Sequence, residues 1–219
     1  MNRNCVAASR AILAIAAWLV CAAVAASPRP VVLVLGDSLS AEYGLPRETG
    51  WVKLLADRLA SPAGGGGKYS VVNASISGET SSGGQTRLPA LLKQHAPRIV
   101  VIELGANDGL RGLPVANLRE NLQAMIAASR AAGARVLLIG MRVPPNYGRE
   151  YAERFSAAFA EVARTQKVAL VPFLLDGFAE ELDYFQADRI HPNERAQSRL
   201  LDTVWRELRP LLALPAAKG

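Results

Sequence analysis

Val31-Val32-Leu33-Val34-Leu35 runs straight into Gly36-Asp37-Ser38-Leu39-Ser40. The first five residues have no polar face and are mostly β-branched, the pattern of a strand buried on both sides. Gly36 permits a sharp turn out of that strand. Outward from this stretch the pattern repeats. Tyr69 to Val72, Ile99 to Ile102, Val136 to Ile139 and Val168 to Val171 are further short apolar runs. Between them lie helical spacings: Trp51, Leu54, Leu55 and Leu59; Leu88, Leu91 and Leu92; Leu118, Leu122, Met125 and Ile126; Tyr151, Phe155, Phe159 and Val162; and Ala196, Leu200, Val204 and Leu208. Strands alternating with helices predict one α/β domain, a parallel sheet covered on both faces. Gly133 is placed to stop a helix before the fourth strand. Gly64 to Gly67 reads as a flexible loop, too uniform for a phosphate-binding motif.

The chain has 219 residues, 50% of them hydrophobic and 20% charged, which excludes a disordered or collagen-like protein. Its formal net charge of +6 is scattered rather than clustered, so no nucleic-acid partner is expected. Arg3 and Arg10 precede an apolar run over residues 11–26. That run is shorter than the ~20 residues a membrane span needs. It ends in Ala22-Ala23-Val24-Ala25-Ala26, and the whole reads as a secretory signal peptide over residues 1–26, cleaved after Ala25 or Ala26. An uncleaved anchor is the alternative. A lipoprotein would use Cys21, but Val20 stands where a small residue is expected. Cleavage leaves a single domain over residues 27–219 and removes both cysteines, Cys5 and Cys21. Cysteine catalysis, iron–sulfur clusters and cysteine-ligated zinc are thereby excluded for the mature protein.

Parallel sheets place their chemistry at the carboxyl ends of the strands. Ser38 follows the first strand, near the expected start of a helix, where a serine serves either as a nucleophile or as a helix cap. Its base must be one of two histidines. His95 precedes the third strand, at the wrong edge, and reads as a solvated helix C-terminus. His191 follows the last strand in Asp188-Arg189-Ile190-His191-Pro192. An Asp three residues before it can orient its ring toward a serine, or merely cap the turn. An oxyanion needs donors. Gly78 after the second strand offers a backbone N–H, and Asn107 after the third a side-chain amide; ordinary turn chemistry is the alternative for each. Asp37 and Asp108 read as acceptors that order their loops, and Ser40 as lying deeper in the helix start.

Gly36-Asp37-Ser38-Leu39, Gly78, Gly105-Ala106-Asn107-Asp108 and Asp188-x-x-His191 resemble, in order, the four blocks of the SGNH (GDSL) hydrolases. Three longer stretches, Val72 to Thr80, Glu103 to Gly112 and Met141 to Gly148, are similar to the bacterial secreted thioesterase/protease/lysophospholipase branch. The resemblance runs from Val31 to about Leu211. It implies a three-layer α/β/α sandwich around a five-stranded parallel sheet, flavodoxin-like, with no metal or cofactor. It implies Ser38 as nucleophile, His191 as base and Asp188 as orienting acid. The oxyanion hole it implies comprises the N–H groups of Ser38 and Gly78 and the amide of Asn107. Ala106 replaces a glycine common in that branch and adds a methyl beside the oxyanion donor. Leu110, Val143, Pro145 and Tyr147 are apolar loop residues suited to a fatty acyl chain, unless they serve only loop packing. The expected reaction is hydrolysis of acyl esters, thioesters and lysophospholipids by a periplasmic or extracellular monomer. A carbohydrate acetyl-esterase and a non-catalytic lipid-binding module are the alternatives.

Overall fold

The computed structural model describes residues 29–212, so the leader expected over residues 1–26 lies outside the described residues. The strands are β1 (Val31–Gly36), β2 (Ser70–Asn73), β3 (Ile99–Glu103), β4 (Arg135–Ile139) and β5 (Ala169–Val171). They form a five-stranded sheet in the order β2-β1-β3-β4-β5, every pair parallel. The helices are α1 (Trp51–Ala60), α2 (Ser81–His95), α3 (Ala106–Leu110), α4 (Val115–Ala131), α5 (Arg149–Gln166) and α6 (Gln197–Leu208). α1 and α6 pack together on one face of the sheet, and α2, α4 and α5 on the other, giving a three-layer α/β/α sandwich.

The central strands match their sequence pattern: β3 is buried throughout, as are Val32 to Leu35 of β1. The outer strands do not. β2 and β5 are largely half-buried, because an edge strand lacks a neighbour on one side. On the helices the apolar stripes face inward: Phe155, Phe159 and Val162 of α5, and Leu200, Val204 and Leu208 of α6, are buried. Gly133 follows α4 at φ 82°, and its N–H reaches the carbonyl of Arg130 at 2.8 Å, the left-handed termination expected of it. The glycine run is more ordered than its composition suggests. Gly64 closes a 3₁₀ turn (Pro62–Gly64) and is buried, with no room for a side chain against the Arg58 carbonyl.

One expectation near the site is corrected. No helix begins at Ser38: the chain makes tight turns there, and α1 starts only at Trp51, capped by Gly50. Asn107 lies in the short helix α3, which the sequence pattern does not reveal, since five residues with a glycine inside show no period to detect. Because all strands are parallel, the loops after β1, β3 and β5 share one edge. The order places β1 beside both β2 and β3, and between β1 and β3 the strand order reverses and a crevice opens.

Candidate active site

Ser38 leaves β1 through a turn whose first carbonyl, on Asp37, accepts from the N–H groups of Ser40 at 3.2 Å and Ala41 at 2.9 Å. Asp37 is wholly buried. Its Oδ1 accepts from the Leu39 N–H at 3.0 Å, ordering the turn as expected. Burial pushes the Asp37 carboxyl up from 3.8 to about 6, against the downward pull of the Leu39 N–H, His191 and the Asn107 amide. Ser40 is buried and donates to Glu103 Oε2 at 2.7 Å, so its hydroxyl is engaged beneath the turn rather than presented.

The other end of the chain meets this turn. His191 Nε2 lies 3.0 Å from Ser38 Oγ across 153 residues of sequence. His191 Nδ1 lies 2.6 Å from Asp188 Oδ2. An ionised carboxylate only accepts, so Nδ1 carries the proton and Nε2 is the acceptor toward the serine. Asp188 Oδ1 takes the N–H groups of Ile190 at 2.9 Å and His191 at 3.0 Å. Desolvation would raise Asp188, but those two N–H groups and the His191 side chain outweigh it and bring the carboxyl from 3.8 to about 2. Arg189 turns through φ 59° between acid and histidine, which lets Asp188 reach back over its own loop. A bridge between Phe185 and Pro192 closes the loop at its base. His95, by contrast, ends α2 at the opposite edge.

Asn107 occupies the second position of α3. Its Nδ2 donates to Asp37 Oδ2 at 3.1 Å and to the Glu79 carbonyl at 3.0 Å. Gly78 sits at φ 81°, and the Arg111 side chain donates to its carbonyl at 2.9 Å. Among the described residues, neither the Ser38 nor the Gly78 N–H has a protein acceptor. Asp108 does not order its own loop: its two oxygens take the N–H and hydroxyl of Ser81, at 2.8 and 2.6 Å, fixing the start of α2.

The cleft that contains Ser38, Asn107 and His191 measures about 520 Å³. Its walls include Leu110, Met141, Val143, Phe173, Leu175 and Ile190, and Ala106 lines the same surface. Leu110 and Val143 are among these walls. The Tyr147 hydroxyl donates to the Leu110 carbonyl at 2.9 Å, bracing that wall. Pro145 opens a 3₁₀ turn (Pro145–Tyr147), and Pro144 lines the cleft. Among the described residues no group of three or more His, Cys, Asp or Glu is placed to hold a metal, and no helix is long and apolar enough to cross a membrane.

Residues 34–199 match the model of the GDSL-like Lipase/Acylhydrolase family. The chain belongs to this family. It is 55% identical over 180 residues to esterase TesA of Pseudomonas aeruginosa, covering 82% of this chain and 88% of that one. It is 44% identical over 187 residues to thioesterase 1/protease 1/lysophospholipase L1 of Escherichia coli, covering 85% and 87%. The crystal structure of TesA superimposes with a TM-score of 0.79 at 54% identity, covering 83% of this chain and 99% of that one. This GDSL acylhydrolase is a serine hydrolase.

Sequence reading missed the residues that hold the acylhydrolase's two loops together. Gln186 donates from Nε2 to the Tyr43 carbonyl at 2.7 Å and the Pro192 carbonyl at 3.2 Å, tying the histidine loop to the serine loop. The Tyr43 and His191 rings lie 4.4 Å apart. Gln197 accepts the first N–H of α1 at 3.0 Å, joining α6 to α1. Glu79 pairs with Arg87, which also donates to the Ala74 carbonyl at 2.8 Å and so anchors the loop carrying Gly78. A Gln, Glu or Arg on a surface-like stretch carries no local signal of such a role.

Proposed function

We propose that the protein is a secreted esterase and thioesterase that also hydrolyses lysophospholipids and aryl esters. Ser38 is its nucleophile, His191 its general base and Asp188 the acid that orients the histidine. The oxyanion hole comprises the N–H groups of Ser38 and Gly78 and the Asn107 amide. The observation that carries this reading is the unbroken chain from Ser38 Oγ to His191 Nε2 at 3.0 Å and from His191 Nδ1 to Asp188 at 2.6 Å. In the first step the Ser38 proton passes to Nε2 as Oγ bonds to the acyl carbon, and the carbonyl π pair moves onto oxygen. Both Asn107 hydrogens already have protein acceptors, so the oxyanion shares one of them. Collapse of the tetrahedral adduct breaks the bond to the alcohol or thiol, which leaves with the proton from His191. Water then repeats the sequence on the acyl-serine and releases the acid.

Apolar walls support a medium or long acyl chain over an acetylated sugar. The activities in the names of the two relatives, esterase, thioesterase and lysophospholipase, support the ester, thioester and lysophospholipid classes. Residues 1–26 act as the leader, and the mature single domain, residues 27–219, works as a monomer in the periplasm or outside the cell. The test is a nitrophenyl-ester series from acetate to palmitate beside an acyl-CoA series and a lysophospholipid, with Ser38→Ala as control. Octanoyl esters are expected to outrun acetyl esters; the reverse order favours a carbohydrate acetyl-esterase. Absence of any Ser38-dependent turnover leaves the lipid-binding module. N-terminal mass analysis of the exported protein is expected to begin at Ala26 or Ser27.

A further inference from the structure

Glu103 ends β3 in a run that is otherwise Ile99-Val100-Val101-Ile102, and it is wholly buried. A carboxyl there is costly: an apolar side chain at the same position would avoid its desolvation. The cost is not fully offset by partners, since Glu103 Oε1 is buried with no hydrogen bond among the described residues. The neighbouring strand makes way for it. Gly36 is the register partner of Glu103, and a Cβ on Gly36 would lie 2.7 Å from Glu103 Oε2. Glu103 Oε2 therefore reaches under the β1 turn, accepting from the Asp37 N–H at 3.3 Å and the Ser40 hydroxyl at 2.7 Å. These contacts bracket Ser38 on both sides in sequence. Asp37 carries the connection onward, through its carboxylate, to the Leu39 N–H and the Asn107 amide.

We propose that Glu103 is a positioning residue for the acyl-transfer site: from below the sheet edge its carboxyl holds the turn that presents Ser38 and, through Asp37, sets the Asn107 donor. This rests on the reading of Ser38 and Asn107 given above. Glu103 touches no reacting atom. It acts by holding the peptide before the nucleophile and the hydroxyl after it in one register, so that the Ser38 N–H and the Asn107 amide converge on the same point. Small displacements of such groups lose transition-state stabilisation without losing ground-state binding.

The experiment compares Glu103→Leu, which fills the space without an acceptor, and Glu103→Gln, which restores one. Turnover of nitrophenyl butyrate is measured per folded molecule, with folding checked by circular dichroism. Glu103→Leu is expected to lose about tenfold or more in kcat with KM changed less than about threefold, and Glu103→Gln to recover kcat to within about threefold of wild type. A folded Glu103→Leu with wild-type kcat overturns the proposal, as does a Glu103→Gln that loses as much as the leucine variant. Should Glu103→Leu fail to fold, Ser40→Ala decides: a kcat loss of about twofold or more at constant KM supports the proposal, and none overturns it. Ser38→Ala separates the two levels. Full activity there overturns the reading of the site itself, whereas loss there with none in Glu103→Leu overturns the role of Glu103 alone.

Discussion

Asp37 and Asp188 are aspartates that serve the same few atoms from opposite ends of the chain, in opposite surroundings. Asp37 is fully buried at the reversal point between β1 and β3, and burial lifts its carboxyl to about 6. Asp188 stands on an exposed loop beyond β5, where backbone N–H groups and the histidine hold its carboxyl at about 2. The serine half is set by packing: strand ends, a glycine that clears space, and hydrogen bonds out of reach of water. The histidine half is set by local turns, one φ of 59° at Arg189, and a few side chains that strap the loop across the gap. The proposed nucleophile and oxyanion donors must be placed to a fraction of an ångström, which suits the well-packed half. A base needs only its tautomer and direction, which a short loop supplies.

Breaking the junction between the halves has the largest effect. Ser38→Ala or His191→Ala is expected to cut kcat by about 10⁴-fold or more, since residues that act as a unit fail together. Next come losses confined to one half. Asn107→Ala removes the proposed oxyanion donor, a kind of group worth about 2.7–4 kcal/mol, and is expected to cost about 10²–10³-fold in kcat. Asp188→Asn keeps the shape of the loop but lets the ring adopt the wrong tautomer. For a buried acid that loss is about 10⁴-fold; for this exposed one about 10²–10³-fold is expected. Steady-state kinetics on nitrophenyl butyrate rank all four.

The two aspartates also pull stability in opposite directions with pH. The depressed carboxyl of Asp188 contributes stability that is fully present above 3.8 and lost as pH falls through about 2. The raised carboxyl of Asp37 is more comfortable protonated, so the fold gives up stability there as pH rises from 3.8 through about 6. Urea midpoints across this range sharpen the comparison. Relative to Asp188→Asn the wild type gains between pH 2 and 4, and relative to Asp37→Asn it loses between pH 4 and 6. The smallest effect belongs to the strap between the halves. Gln186→Ala removes partly exposed hydrogen bonds and is expected to lower kcat about two- to tenfold with little change in thermal midpoint.

Strand and helix assignments were legible in the chain because a side chain's period is local: β-branched runs such as Ile99 to Ile102 and stripes such as Phe155, Phe159 and Val162 need no partner to be recognised. The four motif segments were legible for the same reason, each being a contiguous block at the end of a strand. The bond from the Tyr147 hydroxyl to the Leu110 carbonyl was not legible, because an aromatic residue on a loop shows no period and its partner lies 37 residues away. α3 was missed because five residues show no period. What the sequence alone determined is the order of strands and helices and the residue types able to move a proton, since both follow from neighbours along the chain. Only the folded molecule decided that Ser38 and His191 share a hydrogen bond, that Asp188 rather than Asp37 faces the imidazole, and that Glu103 lies beneath the turn. Apart from the short Asp188–His191 loop, those are distances between residues far apart in sequence, and they arise from how the strands order themselves and which side chains leave room for one another.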